Sequence, residues 1–491
     1  MPGKRTAKAA SGGGVSSTDY GKTAGFLAIG VGLTGVITYV YFFIASHVLS
    51  KPDYGQITVL WSAVFITIST LYRPIEQLLS RHISEHRVKG EPIGQPMRVA
   101  ATIQLGLGAA FAILALALRG PLQNNLLEGN ETLYWIFFSA ALFYAASYFA
   151  RGFLAGNRSF GLFTALILSE SMFRTLFVVL VAVGLLSGQS AVAMGIVAAP
   201  SLSLIVVPFA FQRRARRQSK AADMAPLSAS TPGAPAAIED GPELEEGGAG
   251  ADSDSGLSMR HGTGFAAAVL LIMFSEQAFL NAGPLIARAL QGAAAAGFIF
   301  NVLMIARAPL QLFQAVSTSI LPHLTSLHTS KDENSQREFH RSVRMVLVGI
   351  AVFTAVTALV VLVAGPQLMQ LAFSKKFTYD RAGLLLVTLG MGLYLSSVTV
   401  NQACIAQGQV RRASVRWIGC AAVFVAWNFV PLVGDEFRRV EIGFVLAAGL
   451  LLMLLFAAYR RPRERAEDVP QAGSPEELEV RLAAMDESSW T

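Results

Sequence analysis

Residues Gly55 to Arg81 read GQITVLWSAVFITISTLYRPIEQLLSR, and residues Gly297 to His323 read GFIFNVLMIARAPLQLFQAVSTSILPH. Both start on a glycine, stay apolar for several helical turns, and carry little charge: Arg73, Glu76 and the closing Arg81 in the first, Arg307 in the second. A bilayer core about 30 Å thick is crossed by about 20 apolar residues of helix, so each stretch is long enough to span once. Both are too continuous for a membrane β-barrel, whose strands are about ten residues of alternating polarity. The fold class read from them is all-α.

Ten further runs of the same kind flank these two. In approximate numbers the twelve spans are 24–46, 55–79, 98–118, 132–150, 160–186, 191–211, 263–287, 296–322, 342–365, 383–407, 413–433 and 440–459. Composition agrees, because 53% of the 491 residues are hydrophobic and only 14% are charged, against about 25% charged in soluble domains. A water-facing surface for a chain of this size is excluded. With the N-terminus inside, the inner segments hold 28 of the 39 Lys and Arg residues and the outer loops 8; Arg73, Arg174 and Arg307 fall within spans. That bias places both termini in the cytoplasm. It makes the net charge of +7 a topology signal, with no nucleic-acid partner implied. No small-residue cleavage site follows the first run, so it reads as a retained span.

Residues 212–262 open with Arg213, Arg214, Arg216 and Arg217 and pass into an acidic, Gly-rich stretch. Such a segment buries too little apolar surface to offset its ordering entropy, and it reads as a disordered cytoplasmic linker. It divides the spans six and six. The organisation expected is a disordered cytoplasmic start at 1–20, lobes at 21–211 and 263–460, and a cytoplasmic tail at 461–491. In the tail, Ser474-Pro475-Glu476-Glu477 has the pattern of a helix start. Gly55 to Arg81 and Gly297 to His323 occupy the second place in each lobe and have equal length. Span 4 exits through Ala155-Gly156-Asn157-Arg158 and span 10 through Ala406-Gln407-Gly408-Gln409. Six spans per lobe give both halves one orientation, the parallel pseudo-two-fold repeat of transporters with a site between lobes.

Three segments carry a family resemblance. They are Leu49-Ser50-Lys51-Pro52-Asp53-Tyr54-Gly55 entering span 2; Gly152-Phe153-Leu154-Ala155-Gly156-Asn157-Arg158-Ser159-Phe160-Gly161 between spans 4 and 5; and Ala295-Ala296-Gly297-Phe298 running through Ala306-Arg307-Ala308-Pro309-Leu310 to Leu321-Pro322. Across roughly residues 20–460 the chain resembles the polysaccharide flippases of the multidrug/oligosaccharidyl-lipid/polysaccharide exporter superfamily. Lipid II flippases of that superfamily usually have fourteen spans, and its ion-coupled drug exporters usually carry an acid in the first span. Twelve spans, and a first span without an acid, turn the resemblance toward the branch that moves undecaprenyl-pyrophosphate-linked oligosaccharides. It implies alternating access in a bacterial cytoplasmic membrane, for cell-surface polysaccharide synthesis. It also implies that the arginine before the span-8 proline, Arg307, lines the cavity.

Charges at membrane depth cost roughly 2.5–3.5 kcal/mol each on insertion scales and face a bundle interior or a watery cavity. The candidates are Glu170 and Arg174 in span 5, Glu276 in span 7, Arg307 in span 8, and Arg73 and Glu76 in span 2. Glu170 and Arg174 are four apart with the acid first, the better order for an internal pair. Either they neutralise each other, or Arg174 binds substrate and Glu170 supplies counter-charge or an ion site. Arg73 and Glu76, three apart, either snorkel or take the same two roles. Arg307 has no acid in its own span. Its fork of donors suits phosphate, and the alternative is a pair with Glu276, which makes Glu276 a lock or a coupling-ion site. Gln311 and Gln314 share a helical face with Arg307 and form a candidate sugar-contacting wall. Gln277, Asn281, Asn401 and Gln402 form a second polar layer, explained equally by bonds between helices.

His82-Ile83-Ser84-Glu85-His86 fits the His-x-x-Glu-His zinc pattern, yet it sits in a basic loop with no third ligand. Cys404 and Cys420 lie in spans and give no disulfide or zinc spacing. No cofactor, metal or catalytic constellation is read, and Asp53 reads as a turn residue. The partners expected are a polyprenyl-linked glycan, membrane lipid, and glycan-assembly proteins reached through the linker or tail. The alternatives are an ion-coupled exporter of amphipathic small molecules, a membrane glycosyltransferase, and a transport-inactive scaffold.

Overall fold

The computed structural model describes residues 17–89, 91–208, 255–305, 307, 333–377 and 379–460. Among the described residues ten helices are long and apolar enough to cross a membrane. The N-terminal lobe is built from α1 (Ser17–Val48), α2 (Lys51–Leu71), α3 (Arg73–Lys89), α4 (Gly94–Ala117), α5 (Glu131–Gly156), α6 (Phe160–Ala182) and α7 (Gly188–Ser203). The C-terminal lobe contains α8 (Ser255–Gln291), α9 (Ala293–Ile305), α10 (Glu333–Phe373), α11 (Arg381–Ala406), α12 (Val410–Phe429) and α13 (Glu436–Arg460). The two helices outside the ten are α9, whose expected continuation to 322 lies mostly outside the described residues, and α12, which carries Arg411, Arg412 and Arg416 in its first turns. The chain is an all-helical, multi-pass membrane protein. Lipid explains α10, where Val352, Val356, Leu359 and Val363 form an exposed face at helical spacing.

Local chemistry sets the helix ends. Ser50 caps α2 by accepting from the Asp53 amide at 3.2 Å, with Pro52 and Asp53 in the first turn. Asn130 caps α5 in the same way, accepting from the Leu133 amide at 3.0 Å. Asp380 caps α11, accepting from the Gly383 amide at 3.3 Å.

Expected span 2 is two helices. Pro74 has no amide proton to continue the ladder, the chain turns at Tyr72, and Arg73 and Glu76 lie in the first turn of α3. Expected span 4 is also longer than its apolar run, because α5 continues to Gly156 and carries Arg151 within the helix. α8 begins at Ser255, inside the stretch expected to be linker. The expected N-terminal segment up to Ser16, most of the linker, and the tail fall outside the described residues.

The lobes repeat one plan. In the first lobe α1 packs on α6, α6 on α7 and α5 on α7; in the second, α8 packs on α12, α12 on α13 and α11 on α13. These are the first and fifth, fifth and sixth, and fourth and sixth spans of each lobe. The two exits flagged in the sequence are the same turn. Asn157, Arg158 and Ser159 amides donate to Phe153, Ala155 and Leu154, and Gln407, Gly408 and Gln409 amides donate to Ala403, Ile405 and Cys404. The matching pairs are Asn157 with Gln407 and Arg158 with Gly408, one residue off the register suggested by the sequence. Arg158 (φ 54°) and Gly408 (φ 72°) both take the left-handed conformation that ends such helices. Among the described residues, helices α2 and α8 carry the main contact between lobes.

Candidate functional site

Two groups of charged side chains lie in the bundle. The first belongs to the N-terminal lobe. Glu170 on α6 is 4% exposed and accepts from Arg151 Nη2 at 2.5 Å, Arg174 Nη2 at 3.1 Å and Ser147 Oγ at 3.0 Å. Arg174 also donates to the Tyr144 hydroxyl at 3.0 Å and stacks over Trp61, 4.6 Å from its ring centre. Arg151 lies over Tyr148 at 4.6 Å. Each ion therefore has a counter-ion, a hydrogen bond or an aromatic face, the conditions under which buried charge is tolerated. The Glu170/Arg174 pair expected from sequence is present. The second arginine, Arg151, was assigned to a loop by the sequence reading. Its signal was available: Tyr144, Ser147, Tyr148 and Arg151 fall at i, i+3, i+4 and i+7, one face of a helix.

The second group lies between the lobes. Arg307, just beyond the described end of α9, is half-buried, and its Nε and Nη2 atoms are buried with no hydrogen-bond partner. Its electrostatic neighbours are Tyr394 on α11 and Tyr39 on α1. Tyr394 in turn lies within the fields of Glu276 on α8 and Arg73 on α3. The Glu276 carboxylate is influenced by Arg73 across the lobe interface. The alternative of a Glu276–Arg307 pair is not what the described residues form. Glu76 lies in the fields of Arg151, Arg73 and Glu170, and it links the two groups. Arg73 and Glu76 do not form an ion pair with each other among the described residues. Together the two groups contain four arginines and three glutamates, an excess of one positive charge over the pair of groups.

Of the second polar layer, Asn281 donates to Gln277 at 3.0 Å within α8, and Asn401 is 1% exposed with an unpartnered Oδ1. Gln311 and Gln314 lie outside the described residues. Tyr394 and Tyr39 were not singled out in the sequence, where a tyrosine in an apolar run has no spacing to mark it. The His82–His86 segment is engaged locally, with Arg81 Nε at 2.7 Å from Glu85 and His82 at 3.5 Å from the same carboxylate. No group of metal-ligating side chains occurs among the described residues.

Among the described residues, two helical lobes repeat one packing plan and meet at an interface that carries charged and polar side chains. The solved structures to which the chain is similar share this fold. An inward-facing multidrug resistance MATE family transporter of the MOP superfamily matches with a TM-score of 0.61 at 12% identity, covering 95% of this chain and 99% of that one. A mutant of the Vibrio cholerae MATE transporter VcmN matches with a TM-score of 0.54 at 15% identity, covering 90% and 97%. A eukaryotic MATE transporter matches with a TM-score of 0.54 at 12% identity, covering 91% and 98%. No protein-family model and no curated protein matches the chain. At these identities the likeness is one of fold.

Proposed function

We propose that the protein is a flippase, moving a polyprenyl-pyrophosphate-linked oligosaccharide across the bacterial cytoplasmic membrane by alternating access, for cell-surface polysaccharide synthesis. The observation that carries the reading is Arg307: a guanidinium with two buried nitrogens that no protein group accepts from, at the interface between lobes. Unpartnered charged donors in a low-dielectric site are costly, and a pyrophosphate supplies the geometry that an arginine fork matches. In this reading Arg73 is the second phosphate-attracting cation, from the opposite lobe. Arg174 is held by Glu170 and shapes the cavity wall. Gln311 and Gln314, four and seven positions after Arg307 in the sequence, are the proposed sugar contacts. Glu276, facing Arg73, together with Glu76 and Glu170 provides counter-charge or an ion site. The polyprenyl tail stays in lipid throughout, while the linker and tail are the segments available to glycan-assembly proteins.

The test is deletion of the gene in its native host, with lipid-linked saccharides measured by mass spectrometry. Accumulation of one polyprenyl-pyrophosphate glycan is expected, reversed by the wild-type gene and not by Arg307→Ala. Full rescue by an Arg307→Ala protein that inserts normally overturns the phosphate role. A second reading, an ion-coupled exporter of amphipathic small molecules, is favoured by the nature of the solved structures of similar fold, which include multidrug transporters. It predicts that the purified protein binds cationic drugs and ignores lipid-linked sugars.

A further inference from the structure

We propose that Gly55 and Gly297, each the fifth residue of its helix (α2 and α9), form a glycine seam that closes the interface between the lobes at one end, fastened by Glu128. A Cβ on Gly297 would lie 3.1 Å from the Gly55 Cα, and a Cβ on Gly55 would lie 1.8 Å from the carbonyl oxygen of Ala293 and 2.3 Å from its carbonyl carbon. The two lobes meet here at equivalent positions of their repeats, backbone against backbone. The obstacle at Gly55 is main chain, which cannot swing aside as a side-chain tip does. Only glycine permits this approach.

The contacts around the seam join the same two lobes. Tyr54, next to Gly55, donates to Asn301 with both side chains fully buried. Phe42 packs on Phe300 at 4.5 Å between ring centres, and Tyr54 on Phe377 at 5.3 Å. Lys376 Nζ donates to the Leu49 carbonyl at 3.5 Å. Glu128 provides the fastening. It follows a π-helical turn, Pro121–Leu126, and stands in the left-handed region at φ 55°, ahead of Gly129 at φ 78°. From there its carboxylate crosses to the other lobe, forming an ion pair with Arg288 and accepting from the Ala293 amide, at 3.3 Å each, while Gln56 of its own lobe donates at 2.6 Å. Thus Ala293 is held by Glu128 through its amide and abuts Gly55 through its carbonyl. The Lys and Arg bias places this end outside the cell. Cargo leaving on that side must part the seam, a role in transport that rests on the reading above, whereas the seam itself does not.

The consequence is specific. A methyl group at Gly55 is incompatible with the closed seam and free of conflict once the lobes separate, so Gly55→Ala shifts the protein toward the state open at this end. Spin labels on Leu185→Cys and Leu432→Cys, exposed positions at this end of the two lobes, report the separation by pulsed electron paramagnetic resonance in nanodiscs, without any cargo. The wild type is expected to give mainly the shorter distance. Gly55→Ala, Gly297→Ala and Glu128→Ala are expected to move population to a longer one, in that order of size. The exchange Glu128→Arg with Arg288→Glu is expected to recover part of the short distance lost in either single variant. An unchanged distribution in Gly297→Ala and Glu128→Ala proteins that elute as folded monodisperse species overturns the seam. If distances shift while lipid-linked glycans never accumulate in the deletion strain, the seam stands and the cargo assignment falls.

Discussion

Glu170 and Arg307 are both ionised groups at membrane depth, and the two regions around them are built in opposite ways. Around Glu170, two arginines, a serine and the rings of Tyr144, Tyr148 and Trp61 converge so that each charge has a counter-ion within one lobe, and each arginine leaves only its Nε buried and unpartnered. Around Arg307, two nitrogens have no acceptor, and the neighbours are tyrosines and the far-lobe charges of the interface. A charge answered inside a rigid lobe stabilises that lobe in every conformation. A charge left open between two lobes is, in the proposed reading, available to a cargo that comes and goes.

The largest expected effect tests the closed side of this contrast. Glu170→Ala leaves two buried guanidiniums without a counter-ion and is expected to cost about 3–5 kcal/mol, read as a large drop in the detergent melting temperature or as failure to accumulate. Arg307→Ala is expected to leave the melting temperature unchanged or raise it, while transport falls at least tenfold. Equal destabilisation by the two substitutions would dissolve the distinction. Next in size are the small residues that bring α3 against α5: a Cβ on Gly156 would approach the Ile83 Cβ to 2.7 Å, and one on Gly152 would approach the Glu76 carbonyl to 2.8 Å. Gly156→Val is expected to cost about 1–3 kcal/mol through overpacking, measurable by thermal unfolding, and to loosen the α3 segment that presents Arg73. Arg307→Lys sharpens the open side. It keeps the charge but loses the planar fork, so intermediate transport, between wild type and alanine, is expected in the lipid-linked glycan assay. The smallest effect is Ser147→Ala, about 1.5 kcal/mol, the low end for a hydrogen bond to a charged group, because Glu170 keeps both arginines; a larger loss would mean that the arginines alone do not satisfy Glu170.

Particular residues show how far the sequence could be read. The i, i+4 pair of Glu170 and Arg174 was legible because a helix fixes that spacing, and so was the isolation of Arg307 from any acid in its span. Arg151 was misplaced because apolar runs end where charge begins, while helices end where backbone capping does, and here the turn at Asn157 lies two helical turns further on. The break at Tyr72 had its mark in Pro74. The repeat was visible at Gly55 and Gly297, but that these glycines touch has no local signature, since their separation in the chain is 242 positions.

By itself the sequence determined the all-helical, multi-pass membrane class and the charge pattern along the chain; its twelve spans divided six and six stand as an expectation beside ten spanning helices among the described residues. Each of these depends on hydrophobic length and charge, quantities summed along the chain. The tertiary structure decided which arginine answers which glutamate, that Gly55 and Gly297 meet between the lobes, and that Arg307 Nε and Nη2 have no acceptor among the described residues. Those outcomes depend on distances between helices far apart in sequence, and one-dimensional patterns fix the faces of helices without fixing which faces meet.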